Sequence, residues 1–167
     1  MGVEHESMEF AEFYESARDD CLRIVWLNVG ERQLAEDLVA EAFTRAWMSW
    51  RKVRELQAPR GWVVRTALNA HVSWWRRHRR EVALGSHDIA VSADHDDPVA
   101  SELLAALRRL PLRQREVVTL RLLLDLDTET TAKILAIAPG TVGSHLHRAV
   151  ASLRAAIPHA DGKEIRK

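Results

Sequence analysis

The chain has 167 residues, is 47% apolar, and carries 24 basic and 24 acidic side chains for a formal net charge of zero. That length suits one ordinary domain or two small ones, each with a small core. A single cysteine, Cys21, supplies neither a disulfide nor a paired-thiol metal site and fits a reducing compartment, the acidic start MGVEHESMEF does not read as a secretory signal, and no apolar run approaches the ~20 residues of a membrane span, so a soluble, cytoplasmic protein is expected.

Apolar residues recur at three and four from Phe10 to Leu27 (Phe13, Tyr14, Ala17, Cys21, Ile24), which predicts a helix closed by Asn28-Val29-Gly30. A second helix is expected from Gln33 to Trp50, with Leu34, Leu38, Ala42 and Trp47 near one face and Glu36, Asp37 and Glu41 grouped elsewhere. Residues 51–58 connect it to a third helix opened by Pro59, which carries Trp62, Val63, Ala67 and Val72 and runs into Trp74-Trp75-Arg76-Arg77. The two adjacent tryptophans cannot share a helix face, so one is expected buried and the other exposed. Gly85 to Pro98 is rich in Asp and Ser and reads as a flexible linker. All six tryptophans precede it, and this shift in composition predicts two modules.

Beyond the linker a helix is expected over Val99 to Leu110, stopped by Pro111, then a second over Leu112 to Leu124. A shorter one starts at Thr128, turns at Ala136-Ile137-Ala138, and gives way to a last helix opened by Pro139. No strand pattern is found, and the fold class expected is all-α.

Charge is segregated. Residues 1–41 hold 11 acids and 3 bases, 51–80 hold 9 bases and one acid, 81–102 hold 6 acids and no base, and 103–154 hold 8 bases and 4 acids. Blocks of opposite sign suggest separate surfaces for separate partners, and arginines interleaved with aromatics suggest nucleic acid. Solvated faces without a partner are the plainer reading.

Residues 128–153 have the layout of a helix-turn-helix: an eight-residue helix, a short turn with one apolar residue, and a second helix. Small Ala132 would sit at the crossing, with Ile137 and Val142 plugging the gap. Thr141, Ser144, His145, His147 and Arg148 would then line the outer side of the second helix, where side chains reach a major groove, with Arg113, Arg115 and Arg121 nearby. Spacing alone leaves a plain helical hairpin open.

Two stretches carry a resemblance. Residues 107–154, with Leu110-Pro111, Arg113-Gln114-Arg115-Glu116-Val117, Gly140-Thr141-Val142 and Leu146-His147-Arg148-Ala149, resemble region 4 of the sigma-70 superfamily. Ala35-Glu36-Asp37-Leu38 through Trp47 resembles region 2.2, and Pro59-Arg60-Gly61-Trp62 through Arg65, Ala67 and Asn69 to the Arg76–Arg80 cluster resembles regions 2.3 and 2.4. The size and the missing middle domain are similar to the extracytoplasmic-function (ECF) group, and Leu68 to Arg77 resembles its actinobacterial SigE-like subgroup.

The resemblance implies a sigma factor that directs RNA polymerase to promoters: residues 8–82 as region 2, 83–98 as linker and 99–157 as region 4. Glu36, Asp37, Ala40, Glu41 and Trp47 would dock on the β′ clamp helices of core polymerase, Ala40 standing where the family usually has Gln. Region 4 would meet the β flap. The loop Lys52 to Ala58 would take a flipped base of the −10 element, with Lys52, Arg54, Arg60, Trp62, Arg65, Asn69, Arg76 and Arg77 binding DNA there; core packing is the competing reading of Trp62. Thr141, Ser144, His145, His147 and Arg148 would read the −35 element. Gly143 and His145 replace the family's usual cations and Ala136 a common turn glycine, which implies weaker −35 binding. An anti-sigma protein is a further partner implied.

Glu36-Asp37 and Glu41 lie one turn apart like a helical metal site, but no histidine stands at the matching spacing, and no phosphate loop or nucleophile with its base is found. No catalytic residue, metal or cofactor is expected. The alternatives kept are a helix-turn-helix regulator without polymerase docking and a degenerate sigma factor.

Overall fold

The computed structural model describes residues 2–78 and 98–157, all of whose regular elements are helical. Most of the expected linker, and Arg79 and Arg80, lie outside the described residues.

The first helix, α1, spans Gly2–Val29, eight residues longer at its start than periodicity predicted, because acidic residues there find arginines to pair with. It stops at Gly30, whose φ of +88° is a left-handed conformation that glycine adopts without strain. Three further helices follow in this half: α2 at Arg32–Met48, the single turn α3 at Trp50–Val53, and α4 at Pro59–His78. Phe10 and Phe13 of α1 meet Phe43 and Trp50 with ring centroids 5.1–6.5 Å apart, which ties the start of α1 to α2 and α3. Ala17, Cys21, Ile24 and Val25 pack against Ala35, Val39, Val63, Val64 and Ala67, all fully or nearly fully buried.

The second half has α5 at Pro98–Arg109, α6 at Leu112–Val118, a π-helical turn at Thr119–Leu123, α7 at Thr128–Leu135 and α8 at Pro139–Ala156. The helix expected over Leu112 to Leu124 therefore changes type at Thr119. Its last turn closes by Leu124 N–H to Thr119 O at 3.3 Å, leaving Leu122 and Leu123 exposed.

Arg115 holds the α5–α6 corner. Its guanidinium donates to the carbonyls of Leu107, Arg108 and Leu110 at 2.7–3.0 Å, and to Asn28 O at the end of α1 at 2.6 Å. Those are the carbonyls that helix C-termini leave without partners, and a cation there also opposes the helix dipole.

The buried core does not stop at the boundary between halves. Val117, Leu120, Ala132, Leu135 and Val142 belong to the same continuous cluster as the residues of α1, α2 and α4. A smaller cluster within the second half joins Leu107, Leu110, Val118 and Ala149, with Leu27 of α1 packed against it. Among the described residues, no helix is long and apolar enough to cross a membrane.

Candidate polymerase and DNA interfaces

On α2, Glu36, Asp37, Ala40, Glu41 and Trp47 fall along one side of the helix; Glu36 is half-buried and the others exposed. The helix places them there because Ala35, Leu38, Val39, Ala42, Phe43 and Ala46 are drawn into the core on the other side. All three carboxylates are steadied from their own helix: Arg32 pairs with Glu36 at 3.1 Å, Gln33 donates to Asp37 at 3.1 Å, and Arg45 pairs with Glu41. Such exposed contacts order side chains and add little stability. The Trp47 ring lies 5.1 Å from Phe10 and is 42% exposed, so it is both braced and available.

The −10 candidates spread over the residue 49–58 segment and around more than one side of α4. Lys52, Asn69, Arg76 and Arg77 are exposed. Three other cations are already engaged. Arg54 donates to Glu9 at 2.7 Å, beside an Arg51–Glu6 pair at 2.8 Å. The hydrogen bond from Arg54 to Glu9, then the charge of Glu9, raises its pKa above the ordinary value. Arg60 pairs with Asp20 at 2.9 Å and donates to Ser16 O at 2.9 Å, so it fastens α4 to α1. Arg65 lies 3.6 Å from Glu116 of α6. Burial lowers the pKa of Arg65, and the Glu116 charge partly restores it.

Trp62 is half-buried and packs on the core, yet it borders two cavities. One of about 380 Å³ lies between it, Arg45, Met48, Thr66 and Asn69. The other, of about 260 Å³, runs from Leu56, Gln57 and Ala58 past Trp62 and Arg65 to Thr130, Lys133 and Ile134 of α7. Core packing and a rim position thus coexist. The expectation of one buried and one exposed tryptophan at 74 and 75 is corrected: they are 43% and 40% exposed. Each lies at the flank of the helix, where Trp74 stacks on His78 at 4.1 Å and Trp75 meets His71 edge-on at 6.4 Å.

In the helix-turn-helix, Asp127 caps α7. Its Oδ1 accepts from Thr130 N–H at 2.7 Å and its Oδ2 from the Thr130 hydroxyl at 3.1 Å. The backbone hydrogen bond, more than any other influence, holds the Asp127 carboxyl below its ordinary range. The turn closes with Ile137 N–H to Ala132 O at 3.1 Å, and Ala136 takes φ +53°. A left-handed alanine costs about 1 kcal/mol relative to glycine. Ala132 and Val142 are buried at the crossing, and Ile137 packs beside them.

On α8, Thr141, Ser144, His147 and Arg148 are exposed, and Ser144 Oγ is turned to Gly140 O at 3.0 Å. His145 departs from the expected outer row: it is half-buried, with Nδ1 enclosed and unpartnered among the described residues. Of the arginines expected to stand nearby, Arg115 is committed to the α5–α6 corner, Arg113 pairs with Glu116 at 2.9 Å, and Arg121 donates to Leu126 O. Glu116, 2% exposed and shared by Arg65 and Arg113, is the polar residue that sequence reasoning missed. Its pairing with Arg113 at i, i+3 was readable; its pairing with Arg65, 51 positions earlier, was not. Among the described residues, no cluster of three His, Cys, Asp or Glu is placed to hold a metal ion.

A helical bundle bearing an acidic and aromatic stripe, joined to a helix-turn-helix, defines a class of promoter-reading protein. Residues 13–81 match the family "Sigma-70 region 2" and residues 100–153 match "Sigma-70, region 4". The chain is 32% identical to the RNA polymerase sigma-E factor of Streptomyces coelicolor, over 89% of this chain and 86% of that protein. It is 26% identical to the ECF RNA polymerase sigma factor SigM of Bacillus subtilis, over 89% and 94% of the two chains. In solved structures it resembles the sigma factor RpoE of Bartonella quintana, seen with the anti-sigma factor NepR. That similarity has a TM-score of 0.76 at 22% identity and covers 92% of this chain and 98% of the other.

The chain therefore belongs to the sigma-70 family, within its ECF group. It is a non-catalytic subunit of transcription initiation that directs RNA polymerase to promoters through regions 2 and 4.

Proposed function

We propose that the exposed stripe on α2 is the surface that docks on core RNA polymerase, through the β′ clamp helices, and that the two DNA elements are divided between α4 and α8. The observation that carries the docking reading is the alignment of Glu36, Asp37, Ala40, Glu41 and half-exposed Trp47 along one side of α2. Carboxylates there steer the helix toward basic partners, and a braced aromatic beside them supplies buried contact area once docked. Ala40 offers no polar contact, so the flanking carboxylates and Trp47 carry the attachment.

Lys52, Arg54, Arg60, Trp62, Arg65, Asn69, Arg76 and Arg77 remain the −10 set, with a division of labour. Lys52, Asn69, Arg76 and Arg77 are free to meet a single strand directly, and Trp62 borders cavities that suit a base. Arg60 serves by fixing α4 on α1. On α8, Thr141, Ser144, His147 and Arg148 face solvent as a −35 surface, while half-buried His145 contributes less than its position in the sequence implies. Exposed Leu112, Leu122 and Leu123 suit docking of region 4 on the β flap. A cytoplasmic location and an anti-sigma partner accompany this reading; the Bartonella quintana relative is seen with such a partner.

Run-off transcription with purified core polymerase on genomic fragments tests the assignment. The wild-type chain is expected to direct defined start sites, and Asp37→Lys with Glu41→Lys to abolish core binding while leaving duplex binding by the full chain intact. Undiminished core binding by that double variant would remove α2 as the docking surface.

A further inference from the structure

We propose that the first two turns of α1 form an acidic arm that competes with DNA for the cations at the start of the Lys52 to Ala58 loop, with Glu6 and Glu9 holding Arg51 and Arg54 until a strand displaces them. The proposal rests on the assignment of that loop to the −10 element.

The arm has little apolar hold on the rest of the molecule. Val3 and Met8 are exposed, and the aromatic packing of α1 on the bundle begins at Phe10. Within residues 2–9 only Glu6 and Glu9 are partly covered, and each meets an arginine. Arg51 Nε lies 2.8 Å from Glu6 Oε1, and Arg54 Nη1 lies 2.7 Å from Glu9 Oε2. The spacing matches on both sides. Glu6 and Glu9 are three apart on one helix, and Arg51 and Arg54 are three apart across the α3 turn, so two pairs form in one register. His5 Nε2 lies 3.0 Å from the other oxygen of Glu9. Residues 2–12 hold four Glu and no Lys or Arg, so the arm offers an arriving phosphate no lysine or arginine of its own.

These pairs make poor fasteners. Ion pairs this open to solvent add little to stability, and Arg60 already fixes α4 to α1 through Asp20 and Ser16 further along. Their effect on an incoming strand is more telling. Arg54 lies between two carboxylates, Glu9 and Glu55, the second 3.4 Å from its Nε. A cavity of about 510 Å³ opens beside it, lined by His5, Glu9, Trp50, Arg54, Glu55 and Pro59. A phosphate approaching Arg54 there meets two negative groups and one positive one, and like charges brought together disfavour its entry. Lys52 stands between the two arginines in sequence, exposed and without an ion pair among the described residues.

The loop thus presents one open cation and two guarded ones. A strand that offers only its backbone gains little from the guarded pair. A strand whose base also seats in the loop can displace the carboxylates, because a helix end held by exposed contacts opens easily. The arm therefore raises selectivity by disfavouring backbone-only binding, which is discrimination through repulsion of the wrong ligand.

Fluorescence anisotropy of the full chain with a fluorescein-labelled mixed-sequence DNA single strand, measured over a range of salt, tests this. Glu6→Gln with Glu9→Gln should tighten binding about fivefold, the scale of one or two exposed ion pairs. The salt dependence should steepen by ~1.4, about 0.7 for each cation released to the backbone. In that background Arg54→Ala should weaken binding more than it does in the wild-type chain, because Arg54 is then free to bind. Equal losses in the two backgrounds would reduce the effect to overall charge and overturn the competition. The melting temperature by circular dichroism should stay within about 2 °C of wild type; a larger fall with no gain in affinity would make the pairs structural fasteners. Lys52→Ala separates this idea from the assignment beneath it. If Lys52→Ala weakens strand binding while the glutamate variant fails to tighten it, the arm alone is wrong. If neither changes binding, the loop is not the −10 site and both readings fall.

Discussion

The surface of α4 assigned to the −10 element and that of α8 assigned to the −35 element differ in how their charges are held. On and before α4, Arg54, Arg60 and Arg65 are each tied to a carboxylate 40–51 positions away in sequence. On α8, Arg148 is exposed and without an ion pair among the described residues, but it is the helix's one cation before Arg154. The first surface is rich in charge, with half of its cations occupied; the second is sparse and open. A count of basic residues therefore misjudges both, because binding depends on which cations can exchange their present partner for a phosphate.

The largest expected effect comes from Arg115, which looked available for DNA and is structural. Arg115→Ala leaves the carbonyls of Leu107, Arg108, Leu110 and Asn28 without their donor and should cost about 3 kcal/mol. For a chain of this size that is a fall of about 10 °C in Tm by scanning calorimetry. An unchanged Tm would return Arg115 to the pool of free cations.

Next comes the open side. Gly143 has no atom within 4 Å of where a Cβ would stand, so a longer side chain fits without rearrangement. Gly143→Lys should tighten duplex promoter binding about fivefold at physiological salt and steepen the salt dependence by ~0.9. It also removes a helix-interior glycine, worth about 1 kcal/mol. A gel-shift series showing no tightening would break the claim that α8 is short of charge.

A smaller effect sharpens the contrast directly. Arg148→Ala should reduce the duplex salt slope by ~0.9, whereas Arg54→Ala should change single-strand binding less than that, because Glu9 already neutralises Arg54. Equal losses would mean that the Glu9 pair yields freely to DNA.

The smallest effect concerns pH. His71 is half-buried, and burial first, then the charge of Arg115, lowers its pKa from 6.5. Its neutral form is the one the fold accommodates, and the unfolded chain binds the proton more readily. Stability contributed by His71 is thus present above about pH 6.5 and declines as pH falls through that value toward the lower folded one. Tm measured from pH 7.5 to 5.5 should fall, and fall less in His71→Gln.

Much of this architecture was legible because it is local. Helical period placed α1, α2, α4, α7 and α8, Pro59 and Pro139 marked two starts, and Gly30 marked a stop. The π-helical turn was not legible, since Val117, Val118, Leu120 and Leu122 spell a continuous buried helix whether or not the backbone widens after Thr119. Trp74 and Trp75 misled because adjacency excludes a shared face but does not require either face to be covered. The ion pairs that decide which cations are free join residues dozens of positions apart, and no window on the sequence contains both partners. The candidate residues were readable as types; their engagement was a property of the packed chain.

Cys21 closes off one route of control. It is the chain's single cysteine, and burial pushes its thiol up to about 12. Burial thus withholds the thiolate, which is the form that peroxides and disulfides attack. The buried sulfur is thus a poor target for oxidants. A cell that couples this factor to redox stress through thiol chemistry must place the reactive sulfur on another molecule.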